Sequence, residues 1–405
     1  MEKQQKDESQ YAQLGVDSGK TNVRDIFKPL IDNEYPDAFV NIIEAPYGQG
    51  KIAMTQHCDG DGSKMIARLI WYLETDESEI IGYALDDALA MNTSDVAAAG
   101  FTKGPWIITQ ILNIGMPADI KEVVMIELAK RWLRLREIYY NHGFKEISFL
   151  GGETADLPDQ VRSAVFDMTI SAYAEKKHLI QGNVQPGDKI WGYDSAGCAS
   201  WEDEDNSGLM ANGLTMARPN LLWKGYDKMY PTLKRDGKFH KGKFGIIERS
   251  KFLPNTTIGQ ALLSPTRQWP IVIRRIMDKL IRIDSLHLLH GISINTGGGA
   301  TKIKHIGHGI LYVKNMPEPA PIFKLIQHES KEKWEYMFKT FNCGVGIDIV
   351  GENHPSLDII IQDVARECNI KAYGLGTCLH NPNKHENGQE KNDILLKTPY
   401  GDFRY

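Results

Sequence analysis

Two carboxylates on an apolar helical face constrain this chain more than any other feature of its sequence. Residues 86–99 read as a helix that stops at Gly100. Within DALAMNTSD (87–95), Asp87, Met91, Ser94 and Asp95 fall at i, i+4, i+7 and i+8, so both carboxylates share one face with Leu85, Ala88 and Ala98. Charge on a packed face is costly unless it is paired or metal-bound. Two readings follow: a magnesium site, or an N-cap Asp and an exposed Asp. Magnesium takes one or two carboxylates and completes its octahedron with phosphate oxygens and water.

Upstream, HCDGDGSK (57–64) runs into SKMIARLIWYLET (63–75), where Met65, Ile66, Leu69, Ile70 and Leu73 recur at helical spacing. A calcium loop needs Gly at its sixth place and Glu at its twelfth; counted from Asp59, those places hold Lys64 and Ile70. Walker A fails too, because Gly50-Lys51 is followed by Ile52 and position 45 is Ala. Two readings again stay open. One is a polar turn with a solvated Asp pair. The other is a phosphate cradle: Gly60 and Gly62 bare their N–H groups, Ser63 and Lys64 open a helix, and Asp59 holds a cation.

Further along, GGETAD (151–156) puts Glu153 at the exit of a strand. INTGGGATKIKH (294–305) sets Gly297, Gly298 and Gly299 before a basic stretch, as an anion site or a tight turn. SPTR (264–267) brings Thr266 and Arg267 to a helix start, where Arg267 forks to a phosphate or caps a surface. Cys343 reads as a packed small residue, since no base stands nearby. His290 is an acid–base candidate or a satisfied core histidine.

A length of 405 residues exceeds what one core holds and favours two domains of roughly 200 residues. The boundary falls where IQGNVQPGDKIWGYD passes from a turn into a fresh strand, giving domains 1–185 and 186–405. Strands and helices mix without strict alternation, which predicts an α+β class. Residues 200–260, rich in charge and turn formers, read as an excursion outside the core. Helices are expected over 120–142, 265–283 and 318–341, and after Ser356 as N-cap. A net charge of -5 and the lack of a basic stripe with aromatics argue against nucleic acid and acidic membranes. Five scattered cysteines, a polar start and no long apolar run predict a cytoplasmic protein with reduced thiols.

Taken in order, these motifs resemble the aminoimidazole ribonucleotide synthetase (phosphoribosylformylglycinamidine cyclo-ligase) family. YAQLGVDSGKTNVRDIFKPL (11–30) is similar to its N-terminal signature, and Asp59 to Lys64 to its D-G-x-G-T-K loop. Asp87, Ala90, Met91 and Asp95 match its D-x-x-A-M-x-x-N-D helix. GGETAD, the Asn212-Gly213 pair, LLSPTR, TGGG and TFNCGVG follow in the family's order. The chain departs from the common form at NIIEAPYGQGKIAM, where Gly-Gly-Phe-Gly is usual, at Met210-Ala211 for His-Ser, and at Ser94 for Asn. WEDEDNSGLMANGLT marks a variant branch with a longer insert.

The resemblance implies an α+β cyclo-ligase fold whose N-terminal sheets pair into a barrel-like homodimer core. It implies ATP-dependent ring closure of formylglycinamidine ribonucleotide to 5-aminoimidazole ribonucleotide in purine biosynthesis. Asp59, Asp87 and Asp95 are the expected magnesium ligands, and a monovalent cation is a further candidate cofactor. Lys64, Asp87, Asp95 and His290 are the expected catalytic set. ATP would lie on Asp59, Gly60, Gly62, Ser63, Lys64, Gly151, Gly152, Glu153 and Thr154. The ribonucleotide would lie on Asn212, Gly213, Thr266, Arg267 and Gly297–Gly299. An ATP-binding paralogue with another substrate or no catalysis is the alternative.

Overall fold

The computed structural model describes residues 9–14, 26–233, 239–383 and 390–405. Residues 1–8, the middle of the 11–30 signature (15–25), 234–238 and 384–389 lie outside the described residues.

Alternation of apolar and polar residues builds a five-stranded sheet from β1 (Ile43–Glu44), β2 (Ile52–Gly60), β3 (Trp106–Ile114), β4 (Ile147–Asp156) and β5 (Ala164–Glu175). Its order is β1-β2-β5-β3-β4, antiparallel except for the β3–β4 pair. Along β5 every second residue from Ala164 to Ala174 is buried. That inner face packs on helices α1 (Lys64–Thr75) and α2 (Glu79–Ala98), and α3 (Ala118–Asn141) packs on α2.

A second sheet of seven strands follows: β6 (Lys189–Asp194), β9 (Leu289–Ile294), β10 (Ile310–Asn315), β11 (Val345–Gly351), β12 (Ala372–His380), β13 (Asp393–Thr398) and β14 (Gly401–Arg404). Its order is β14-β13-β10-β12-β6-β11-β9, with a small ribbon of β7 (Ala196–Gly197) and β8 (Asn206–Ser207) beside it. Every residue of β11 is buried, as its unbroken VGIDIVG run requires. Around these strands lie α4 (Leu214–Leu221), α5 (Ile258–Leu263), α6 (Trp269–Arg282), α7 (Pro321–Ser330), α8 (Trp334–Thr340) and α9 (Pro355–Cys368). The architecture is α+β, and no described helix is long and apolar enough to cross a membrane.

Three elements differ from the sequence expectations. The expected helix over 318–341 is two helices, because Lys331 adopts φ 58° and ends the first. Helix α9 is capped by His354 rather than Ser356. Pro355 takes the first helical place, where its missing N–H costs nothing, and His354 Nδ1 accepts from the Ser356 N–H at 3.2 Å. Residues 200–260 are no excursion: Leu214, Met216, Leu221, Leu222 and Ile246 are fully buried. Charged residues alternating with apolar ones hid a packed face in the average composition.

Candidate functional site

Strand β2 runs into the loop Asp59–Ser63 and straight on into α1. The turn is tight because Gly62 takes φ 66° and Asp61 N–H donates to the Phe166 carbonyl at 3.1 Å. Gly60 must stay bare: a Cβ there would lie 1.9 Å from Asp167 Oδ1 and 2.6 Å from the Phe166 carbonyl. Asp59 Oδ1 accepts from the Gly60 N–H at 2.8 Å. The Arg218 guanidinium, buried in α4, donates to the Ser63 carbonyl at 2.9 Å and ties the loop to the second half of the chain.

Helix α1 turns Lys64 and Arg68, four residues apart, into the interior with no exposed surface. Helix α2 meets them with Asp87, also fully buried. Asp87 accepts from Lys64 Nζ at 3.1 Å, from Arg68, and from both the N–H and hydroxyl of Thr266. Lys64 also donates to the Ser264 carbonyl, and Arg68 to Asp61 at 2.7 Å. Two basic and two acidic side chains thus close a buried cluster. Burial pulls the Lys64 ammonium below its usual range, with Asp87 opposing.

Three expected site residues therefore meet one another in this structure. Both oxygens of Asp87 hold protein donors. The Lys64 ammonium is sealed against Asp87 and the Ser264 carbonyl. Thr266 turns its N–H and hydroxyl to Asp87. Among the described residues no three His, Cys, Asp or Glu side chains converge as a metal cage. Asp61 behaves differently. Burial pushes its carboxyl up to about 7 against the pull of Arg68, while Asp87 and Asp167 add to the rise. Its Oδ1 has no hydrogen-bond partner among the described residues.

Beside the loop, three glycine turns meet. A Cβ on Gly62 would lie 3.5 Å from the Ala211 carbonyl, and one on Gly297 would lie 3.4 Å from Asn212 Oδ1. Gly213 and Gly299, at φ 78° and 55°, both press on Phe341 of TFNCGVG. Asn212 Nδ2 reaches Met91 Sδ at 3.8 Å on α2. Next on α2, Asp95 stands 3.4 Å from His57 Nε2 and 3.8 Å from Lys302 Nζ, and Lys302 donates to Thr296 Oγ1 at 3.1 Å. Burial disfavours the His57 cation, but Asp95, Asn92 and Asp59 more than offset that, and its pKa is raised. Loop 59–63, Asn212-Gly213, Gly297–Gly299 and Asp95 are therefore neighbours.

Other expected residues stand apart. Arg267 is buried and saturated: it forks onto Glu202 at 2.9 and 2.7 Å and donates to the carbonyls of Asp194, Ala196 and Gly197. His290 is paired with Asp188 at 2.7 Å at the start of β9, whereas the glycine turn follows that strand's far end. Gly151 and Gly152 form a bulge within edge strand β4, not a turn at a strand exit, and Glu153 accepts from the Thr154 N–H. Glu153 shares a cross-sheet row with Ile111, Asp167 and Gly60, on the outer face and three strands from the loop. Sequence reasoning missed His57, Asp61, Arg68, Asp167, Arg218 and Lys302. His57, Asp61 and Lys302 lie inside the quoted motifs; Arg68 is signalled by its place four residues after Lys64, while nothing local marks Asp167 or Arg218.

No family model matches the chain. The phosphoribosylformylglycinamidine cyclo-ligase of Methanocaldococcus jannaschii is 30% identical over 323 residues, covering 78% of this chain and 76% of that protein. The enzyme of the same name from Pyrococcus furiosus is 30% identical over 355 residues, 84% and 87% of the two chains. That from Saccharolobus solfataricus is 24% identical over 397 residues, 96% of each. Among solved structures, phosphoribosylformylglycinamidine synthase II from Thermotoga maritima superposes with a TM-score of 0.54 at 9% identity, over 98% of this chain and 50% of its own. This chain thus spans about half of that protein, and the likeness concerns the fold alone.

Proposed function

The chain belongs to the phosphoribosylformylglycinamidine cyclo-ligase family, and from that premise we propose that its converging glycine turns are where ATP drives closure of the imidazole ring. The reaction consumes ATP and formylglycinamidine ribonucleotide and yields 5-aminoimidazole ribonucleotide, ADP and phosphate. The terminal phosphoryl group passes to the formamide oxygen. The neighbouring amidine nitrogen then attacks that carbon and gives up its proton, and the C–O bond breaks as phosphate leaves.

The observation that carries this reading is the meeting of loop 59–63, Asn212-Gly213 and Gly297–Gly299 beside Asp95 and Lys302. Bare backbone N–H groups at such turns receive phosphate oxygens. Lys302, steered by Asp95 and Thr296, supplies the full positive charge that Lys64 cannot. The buried Lys64–Asp87–Arg68–Asp61 cluster holds the loop in shape from beneath, and Arg218 does so from the side. Positioning accounts for much of the rate, since the second step joins atoms of one molecule.

The donor set fits magnesium at the loop. Asp61 Oδ1 is buried with no hydrogen-bond partner among the described residues, and the Asp167 carboxyl is raised by burial and then by Asp59. Asp61 and Asp167, with phosphate oxygens and water completing the shell, would hold the ion, which would neutralise charge on the transferring phosphoryl group. A homodimer joined through the outer face of the five-stranded sheet accounts for Ile111 and Val165, each 40% exposed on that face.

The test is purified protein with ATP, magnesium and formylglycinamidine ribonucleotide, following aminoimidazole ribonucleotide and ADP together. One-to-one formation of both, dependent on the ribonucleotide, is expected. ATP binding without ring-closed product would overturn the reading in favour of a non-catalytic paralogue.

A further inference from the structure

A second buried lysine–aspartate pair lies under the glycine turn 297–299. Lys314 on β10 and Asp348 on β11 are both fully buried, with Lys314 Nζ 2.7 Å from Asp348 Oδ2. The sheet order sets β12 and β6 between those strands, so the lysine side chain crosses two strands to reach its partner. Such a pair does little for stability, because two apolar side chains of the same volume in its place are often neutral or stabilising. Nor is the carboxylate fully satisfied. Asp348 Oδ1 and the hydroxyl of Ser293, opposite it on β9, have no hydrogen-bond partner among the described residues. What an apolar pair could not supply is the second bond of the ammonium, which donates to the Ala300 carbonyl at 3.0 Å.

Ala300 directly follows the turn. Its N–H donates to the Phe341 carbonyl at 3.1 Å, so the peptide units on both sides of it are held. Within the turn, the Gly299 N–H donates to the Thr296 carbonyl at 2.8 Å, and the Thr301 N–H and hydroxyl both close on the Gly298 carbonyl. The N–H groups of Gly297 and Gly298 are what remains. They belong to the two partly exposed residues of the triplet and find no acceptor among the described residues. Their direction is set by the peptides behind them, and therefore by Phe341 and Lys314.

We propose that Lys314, fixed by Asp348, is a positioning residue for the reaction: it aims the Gly297 and Gly298 N–H groups at phosphate oxygens of the ribonucleotide. The inference rests on the reading of the glycine turns as the substrate site. A misplacement of about 1 Å in such groups can cost roughly a hundredfold in rate, whereas the loop 59–63 has its own buried cluster and stays in place.

Two charge-free variants of similar volume separate aiming from packing. K314M/D348L removes the pair and the donor to Ala300. K314Q/D348N removes the charges but keeps an amide N–H₂ for that carbonyl. For K314M/D348L, Tm is expected within about 3 °C of the parent. Its KM for formylglycinamidine ribonucleotide should rise at least tenfold, with the KM for ATP within twofold and kcat within threefold. K314Q/D348N should stay within threefold of the parent in all three constants. Without ligand, hydrogen exchange across residues 296–301 should be at least tenfold faster in K314M/D348L than in the parent. An unchanged ribonucleotide KM, an equal rise in both variants, a rise for ATP instead, or loss of folding in K314M/D348L alone would each overturn the proposal. Absence of ring-closed product from the parent would tell against the reaction itself, and the exchange result would then decide whether Lys314 holds the turn.

Discussion

Replacing Asp87 by Asn separates a structural from a metal-binding role. The carboxylate is fully buried, and its oxygens hold Lys64, Arg68 and Thr266. Asn keeps the volume but removes the charge, leaving one of two buried cations uncompensated and an amide N–H₂ pointing at donors. Breaking a buried pair in this way costs about 3–5 kcal/mol. At about 2–4 °C per kcal/mol for an unfolding unit of 150–250 residues, Tm falls by about 6–20 °C. Lys64→Met, which strands Asp87 instead, should cost a similar amount. In the double variant the two losses should fall short of additive by about 0.5–3 kcal/mol. Calorimetry or urea titration of the four proteins without nucleotide measures all of this. A Tm for Asp87→Asn within 2 °C of the parent, with turnover lost, would refute the structural assignment and return Asp87 to the metal.

Asp95→Asn acts differently, because its neighbour His57 can simply lose its proton. With Asp95 gone, burial acts on His57 with less opposition, so its NMR titration midpoint should drop; an unmoved midpoint would show that Asp95 does not raise it. In the parent, the raised pKa means that the His57 cation adds stability below about pH 6.5, and this is lost as pH climbs through the folded value. Asp61 acts in the same direction, the reverse of what a paired carboxyl usually does. Raised to about 7, it keeps a proton that the unfolded chain sheds near pH 3.8, so stability declines from about pH 4 to 7. Asp61→Asn should flatten that decline in a urea titration series, and an identical slope would count against it. Gly60→Ala forces Asp167 and the Phe166 carbonyl aside and should lower kcat/KM at least tenfold, whereas Gly374→Ala, with open space around it, should change it less than twofold.

The identity of the loops is local information, and the sequence by itself determined it. Strand, D-G-D-G turn and amphipathic helix follow from side-chain period and from the glycines, and these survive in β2, loop 59–63 and α1. The crowded face of α2 was equally legible, since charge at i and i+8 among Leu, Ala and Met must be neutralised. What neutralises it is not local. Lys64 and Thr266 lie 23 and 179 residues from Asp87, and Glu202 lies 65 residues from Arg267. A motif therefore cannot reveal whether its charge faces a ligand or another side chain. Lys64 and Arg267, the two cations that read as phosphate ligands, are both buried against carboxylates, while Lys302 lies beside Asp95 and Thr296. GGETAD likewise read as the exit of a strand, and only pairing with β3 made Gly151 and Gly152 a bulge within an edge strand. Spacing along the chain decides which residues share an element. Tertiary packing alone decides which charges are already satisfied, because burial removes the solvent that would otherwise compensate them.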